Sequence, residues 1–213
     1  MPETKRRFHG GWLHFSIARV PTRIHFSAPL GAIFFSQFQW IPGFWLGFIV
    51  LILMHELGHA AVAKLCGLPV SRIDVHGLGG VCWSGGRQTP LQRALVSWGG
   101  VWAQLIVFGV AFVLLKVPLD RGAFLTEFLS SFLWNNLILA GINLIPMQPF
   151  DGADAWTLPK LLKERWTRPT PEKKARPALG KGADVIDLHE RVREITEREA
   201  RRVREERDRK RLQ

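Results

Sequence analysis

Cysteine is scarce in this 213-residue chain: Cys66 and Cys82 are the only two, too few for a disulfide framework and spaced like no zinc knuckle, so both are read as reduced thiols. Charged residues are few from Ile24 to Pro146, whereas most Lys and Arg lie beyond Lys160, so the net charge of +11 belongs mainly to the tail. No zinc-finger, RRM or helix-turn-helix pattern accompanies that charge, and the basic residues alternate with Glu and Asp. A nucleic-acid partner is therefore not expected, and an anionic membrane surface accounts for the charge at less cost. Lys5, Arg6 and Arg7 are followed by no short apolar core with a small-residue cleavage site, so no cleaved signal peptide is expected. No internal repeat is visible.

What is present is apolar length. With 47% hydrophobic residues overall, the part before residue 160 suits a bilayer. Against the roughly 20 apolar residues a helix needs to cross hydrocarbon, four stretches qualify: Ile24–Trp40, short and carrying Ser27, Ser36 and Gln37; Phe44–Leu65, after a turn at Pro42-Gly43; Leu91–Val117; and Phe124–Ile145, ended by Pro146 and Pro149. The expected class is an all-α polytopic membrane protein of about four transmembrane helices, with a small membrane-associated β-hairpin and a charged C-terminal helix. Its expected parts are an N-terminal cytoplasmic segment 1–23, a membrane-embedded domain 24–166, a linker 167–182 and a helical tail 183–213. Lys5, Arg6, Arg7, Arg19 and Arg23 precede the first stretch, and Lys64, Arg72, Arg87 and Arg93 fall between the second and third. The other links hold no charge, or only Lys116, Asp120 and Arg121. By the bias of basic residues toward the cytoplasm, both termini and the middle loop are expected there, in the cell membrane.

Within the middle loop, "PVSRIDVHGLGGVCW" alternates and then turns through Gly77, Gly79 and Gly80, which predicts a hairpin over about Val70–Trp83. Ala153–Trp166 could form an interfacial helix, and 168–182, with Pro169, Pro171, Pro177 and Gly180, reads as linker. From about Asp184 a charged helix is expected, with Val185, Leu188, Val192 and Ile195 as a stripe too short for a coiled coil.

"LILMHELGHAAVA", Leu51 to Ala63, places three costly groups in an apolar run. Residues i and i+4 share a helix face, so His55 and His59 can aim at one point with Glu56 beside it. Two imidazoles, a third protein ligand and an open fourth position make a catalytic zinc site, where the metal lowers the pKa of a water and a carboxylate can take its proton. A lone buried His is more often a packed, hydrogen-bonded residue, but three ionisable groups near mid-span, each costing roughly 2.5–3.5 kcal/mol when charged, call for a compensating cation. A second motif, "NLIPMQPFDG" from Asn143 to Gly152, ends the last span and presents Asp151 on a sharply turning backbone. An ordinary helix-end turn is the plainer reading. The expected topology, however, brings Asp151 to the same side and a similar depth as His55 and His59.

HExxH in an early span with a distal NxxPxxPxDG resembles the site-2 protease family of intramembrane zinc metalloproteases, in its short form without a PDZ-like insertion. The resemblance runs from about Arg19 to Trp156, and includes "RVPTRIHFSAPL", "GLGGVCW" and "NNLILAGINLIP". It implies one zinc ion per chain held by His55, His59 and Asp151, Glu56 as catalytic base, and Asn143 positioning or polarising the scissile carbonyl. Asn136, seven residues before Asn143, matches a recurrent family asparagine. One departure is "WGGVWAQL": where many members carry Gly-Pro and then Asn, this chain has Gly100-Val101 and then Gln104, and a small-residue packing face of Gly99, Gly100 and Ala103 explains the stretch equally well. His25 and His76 are read as interfacial or hydrogen-bonded residues, Cys82 as a crowding residue rather than a ligand, and Trp40, Trp45 and Trp156 as interfacial anchors. The implied activity is hydrolysis of peptide bonds in transmembrane protein substrates near the cytoplasmic side, with the lipid bilayer as the other partner. A metal-binding membrane scaffold and a non-peptidase membrane zinc hydrolase are the alternatives.

Overall fold

The computed structural model describes residues 8–77, 79–167 and 190–202. Contacts divide them into two units, one up to Trp166 and one from Thr167 onward. The 168–182 stretch expected as linker lies outside the described residues. In the second unit residues 190–202 are helical, with Val192 and Ile195 exposed and Arg193 paired to Glu197 one turn on.

The first unit is built around helix α2 (Pro42–Leu65), which packs against helices α3 (Pro90–Lys116) and α4 (Gly122–Ser130) and carries the sheet on another flank. Local signals set its limits. Pro42 opens the helix, where a missing N–H costs nothing. At the far end Gly67, with φ of +75°, reverses the chain, and the Leu68 and Gly67 amides donate back to the Ala63 and Lys64 carbonyls at 2.9 Å each. Thr89 and Gln92 form a reciprocal cap at the start of α3, and the Arg121 guanidinium covers the Leu114 and Val117 carbonyls at its end. Helices α2 and α3 meet where Gly58 faces Gly99. A Cβ on Gly58 would run into the Gly99 carbonyl, so small residues here set how closely the two axes approach.

Three segments are long and apolar enough to cross a membrane among the described residues: α2, α3, and Gly122–Asn143. The last is interrupted. Helix α4 gives way at Ser131–Leu133 to α5 (Trp134–Asn143), with Ser130 and Ser131 hydroxyls donating to the Glu127 and Phe128 carbonyls, a back-bonding pattern that bends helices. The expected interfacial helix over Ala153–Trp166 is two pieces, α6 (Gly152–Ala155) and α7 (Leu158–Thr167).

Two expectations are corrected. The fold is mostly helical but not all-α, because the predicted hairpin, β4 (Val70–His76) and β5 (Gly79–Ser84), belongs to a five-stranded sheet in the order β1-β2-β3-β4-β5, with β1 (Phe8–His9), β2 (Trp12–Ile17) and β3 (Val20–His25) supplied by the N-terminus. The boundary drawn between residues 23 and 24 therefore falls inside β3. Strand β3 pairs with β2 antiparallel and with β4 parallel, Thr22 facing Ile73, and the buried side of the sheet, Val20, Thr22, Ile73 and Val75, closes on α2.

The second correction is Ile24–Trp40, expected as a span. It holds the end of β3, helix α1 (Ala28–Phe35) and a turn at Gln37–Phe38 with φ of 54° and 62°. Eight helical residues cover only about 12 Å. Lys64 Nζ donates to Ala18 O at the C-terminal end of α2, whereas Gly31 lies against the Phe48 ring and Trp45 Nε1 donates to Ser36 Oγ, both in its first two turns. Strand, short helix and turn together run antiparallel to α2 along nearly its whole length.

Candidate metal centre

His55 and His59 are one turn apart on α2, both 6% exposed, with their rings at right angles. Their Nε2 atoms are 3.0 Å apart, and Asp151 Oδ2 is 3.1 Å from each. The opposite ring nitrogens are engaged: His59 Nδ1 donates to the Val96 carbonyl at 2.7 Å, and His55 Nδ1 donates to Gln104 Oε1 at 3.0 Å. Both acceptors lack a proton to give, so the Nδ1 of each ring carries the hydrogen, and in the neutral form of the ring the Nε2 lone pair is turned inward. Two ring nitrogens and a carboxylate oxygen thus converge on one point, an arrangement that a cation would satisfy. Zinc bonds of 2.0–2.1 Å at tetrahedral angles separate donor atoms by about 3.3 Å, close to the spacing present. The residues fit the metal.

Each wall of this site has an identifiable cause. Val96, Gly100 and Gln104 follow one another at intervals of four on α3 and form the stripe that faces both histidines. Gly100 carries no side chain because a Cβ there would stand 2.6 Å from His55 Nδ1 and from His59 Nε2. Asp151 arrives on a loop folded tightly against the end of α5: a Cβ on Gly152 would strike the Leu144 and Ile145 carbonyls, Trp156 Nε1 donates to Leu144 O at 2.7 Å, and Trp98 Nε1 of α3 donates to Ala155 O at 2.9 Å. Asn143, on the last turn of α5, brings its Nδ2 to 3.3 Å from His55 Nε2. Glu56 is buried and pressed by the backbone of β5, where a Cβ on Gly80 would come within 2.6 Å of Glu56 Oε1.

These five residues line one cavity of about 770 Å³. Its remaining wall is largely apolar, with Phe34 and Phe35 from α1, Phe48 and Ile52 from α2, and Leu139 and Ile142 from α5. His76 and Cys82 also border it, yet among the described residues only His55, His59 and Asp151 group as metal-binding atoms. Burial, helped by the Glu56 carboxylate, pushes the Cys82 thiol up to about 12, which keeps it protonated and a poor ligand. His25 instead meets Ser27 Oγ at 2.7 Å. Of the small-residue face in "WGGVWAQL", Gly99 and Ala103 pack on Gly58, while Gln104 reaches His55. The Val96 carbonyl is a partner that sequence reasoning missed, and a backbone group leaves no signal in residue identity.

A sequence profile of the Peptidase M50B-like family matches residues 30–142, more than half of the chain. The chain belongs to this site-2 protease family. A zinc metalloprotease of Methanocaldococcus jannaschii is 31% identical over 149 residues, which make up 65% of this chain and 42% of that protein, so the chain spans less than half the length of this curated relative. The solved site-2 protease from Methanocaldococcus jannaschii shares the fold, with a TM-score of 0.52, 22% identity and 73% of each chain covered. With the apolar helices, membership makes this an integral membrane protein, and the metal that the His-His-Asp group would hold is zinc.

Proposed function

We propose that the chain is an intramembrane zinc endopeptidase that cuts transmembrane protein substrates near the cytoplasmic side. The observation that carries this reading is the meeting of two imidazole nitrogens and a carboxylate oxygen beside a buried glutamate, in a cavity whose remaining wall is largely apolar. His55, His59 and Asp151 hold the metal. Zinc, when bound, acidifies water toward neutral pH and polarises a carbonyl. Glu56, held by α2 on one side and Gly80 on the other, accepts the proton of the attacking water and delivers it to the leaving amine. Asn143 offers its amide N–H beside His55, where it can orient or polarise the carbonyl under attack. The apolar wall accepts the side chains of a lipid-dwelling segment, whose carbonyls stay paired until the segment leaves its helix.

Substitutions that remove different atoms test the assignment. Glu56→Gln keeps size and removes the proton acceptor, so zinc should remain near one per chain while cleavage of a membrane substrate falls by about 10² to 10⁴. His55→Ala, His59→Ala and Asp151→Ala should lose zinc and activity together. A zinc-loaded Glu56→Gln protein that cuts at wild-type speed would sink the reading.

A further inference from the structure

The two histidines are supported differently. His59 leans on a backbone carbonyl, Val96 O, that no substitution of a side chain removes; His55 leans on a side chain, Gln104 Oε1. Gln104 is 1% exposed, and its own backbone is tied down from a third helix: Asn136 Nδ2 of α5 donates to Gln104 O at 2.7 Å and to Phe132 O at 3.2 Å. Asn136 makes both bonds while its buried Oδ1 finds no partner among the described residues. A buried acceptor left unpaired costs about 1–3 kcal/mol, so the residue is explained by its donors rather than by general packing.

Resting on the reading of His55 as a zinc ligand, we infer that Gln104 is a positioning residue, which fixes His55 with its proton on Nδ1 and its Nε2 lone pair toward the metal, and that Asn136 holds Gln104 in place to do so. The amide oxygen selects the tautomer because it only accepts. Without that acceptor His55 is free to carry its proton on Nε2, where the proton would occupy the bonding direction. The ring would also lose the contact that sets its rotation beside Gly100.

Two full-length variants, purified in detergent and compared with wild type by circular dichroism, separate this role from packing. Gln104→Met keeps length and apolar fit but removes the acceptor, and it should weaken zinc binding by about 10- to 100-fold in chelator competition and shift the visible absorption of the cobalt-substituted site. Gln104→Glu restores an acceptor at the same reach and should bind zinc close to wild type. A space-filling role predicts the reverse order, because methionine is tolerated in an apolar gap and a new carboxylate is not. Gln104→Met binding zinc as tightly as wild type overturns the inference, and so does Gln104→Glu binding as weakly as Gln104→Met. One further measurement needs neither variant to fold. In metal-free wild-type protein labelled with ¹⁵N-histidine, the His55 signal, assigned by its loss in His55→Gln, should show a proton on Nδ1; a proton on Nε2 alone overturns the inference. None of these readouts uses proteolysis. A zinc-binding wild type that passes them and cuts no membrane protein would sink the protease reading and leave the positioning role intact.

Discussion

At Gly100 a single hydrogen atom takes the place of a side chain between two imidazoles, and the closeness of the rings gives that absence a measurable weight. An added Cβ would sit 2.6 Å from a nitrogen of each ring, so one ring or the whole of α3 has to move. Gly100→Ala should lower zinc affinity by at least about tenfold, read by chelator competition. Gly109 lies on the same helix with nothing within 4 Å of its virtual Cβ, and Gly109→Ala should leave zinc binding unchanged. Equal zinc affinity in both variants would show that α2 and α3 yield without cost. The spacing of His55 and His59 was legible because it is a rule of helix geometry, and the carboxylate of Asp151 because Pro and Gly mark a chain reversal. The supports were harder to read. Gly100 and Gln104 stand out in the sequence as small and polar, but only the packing of α3 on α2 shows that one clears space and the other bonds.

Among the elements, the sheet is the least legible in the sequence. Its hairpin half announces itself by alternation and glycine, but "RVPTRIHF" carries Pro21, Arg23 and His25 in the strand next to it, residues that divide between a basic N-terminal segment and the start of an apolar run. Tertiary pairing overrides them: Arg23 forms two hydrogen bonds to Asp74 across the parallel β3–β4 ladder, Arg72 adds a third at 3.1 Å, and Trp83 Nε1 donates to the same carboxylate at 2.9 Å. The guanidinium groups of Arg23 and Arg72 lie over the Trp12 and Trp83 rings at 4.4 and 4.6 Å. Burial acts to raise the Asp74 pKa, but the bonds from Arg23, Arg72 and Trp83 outweigh it and hold it below the ordinary 3.8. A depressed carboxyl pKa stabilises the fold fully above the unfolded value and loses that contribution as pH falls through the folded value. Asp74→Asn should therefore destabilise the protein by about 1–3 kcal/mol at neutral pH, seen as a lower thermal midpoint in detergent. The gap to wild type should close as pH drops below 3.8. A gap that persists unchanged in acid would assign the effect to shape rather than charge.

For the whole molecule, two expectations concern side and extent. If the basic loops face the cytoplasm, then in a chain with Cys66 and Cys82 replaced by alanine, a cysteine at Arg121 should react with an impermeant reagent outside intact cells and one at Thr89 should not. The opposite pattern would invert the orientation. The unit up to Trp166 contains the metal group, the cavity and every contact described for them, so a chain ending at Thr167 should keep its zinc, as measured by metal analysis of the purified protein. Markedly less zinc in the shortened chain would make the residues beyond Thr167 part of the fold. The parallel pairing of β3 with β4 also imposes a timetable on biosynthesis. Arg23 and Asp74 are 51 residues apart, so at about 5–20 residues per second β3 leaves the ribosome several seconds before its partner exists. During that wait it is an open edge, ready to pair with any passing strand. Pro21 and the Arg23 charge are the features that discourage such pairing, so the residues that disguised this strand in the sequence guard it until β4 has been made.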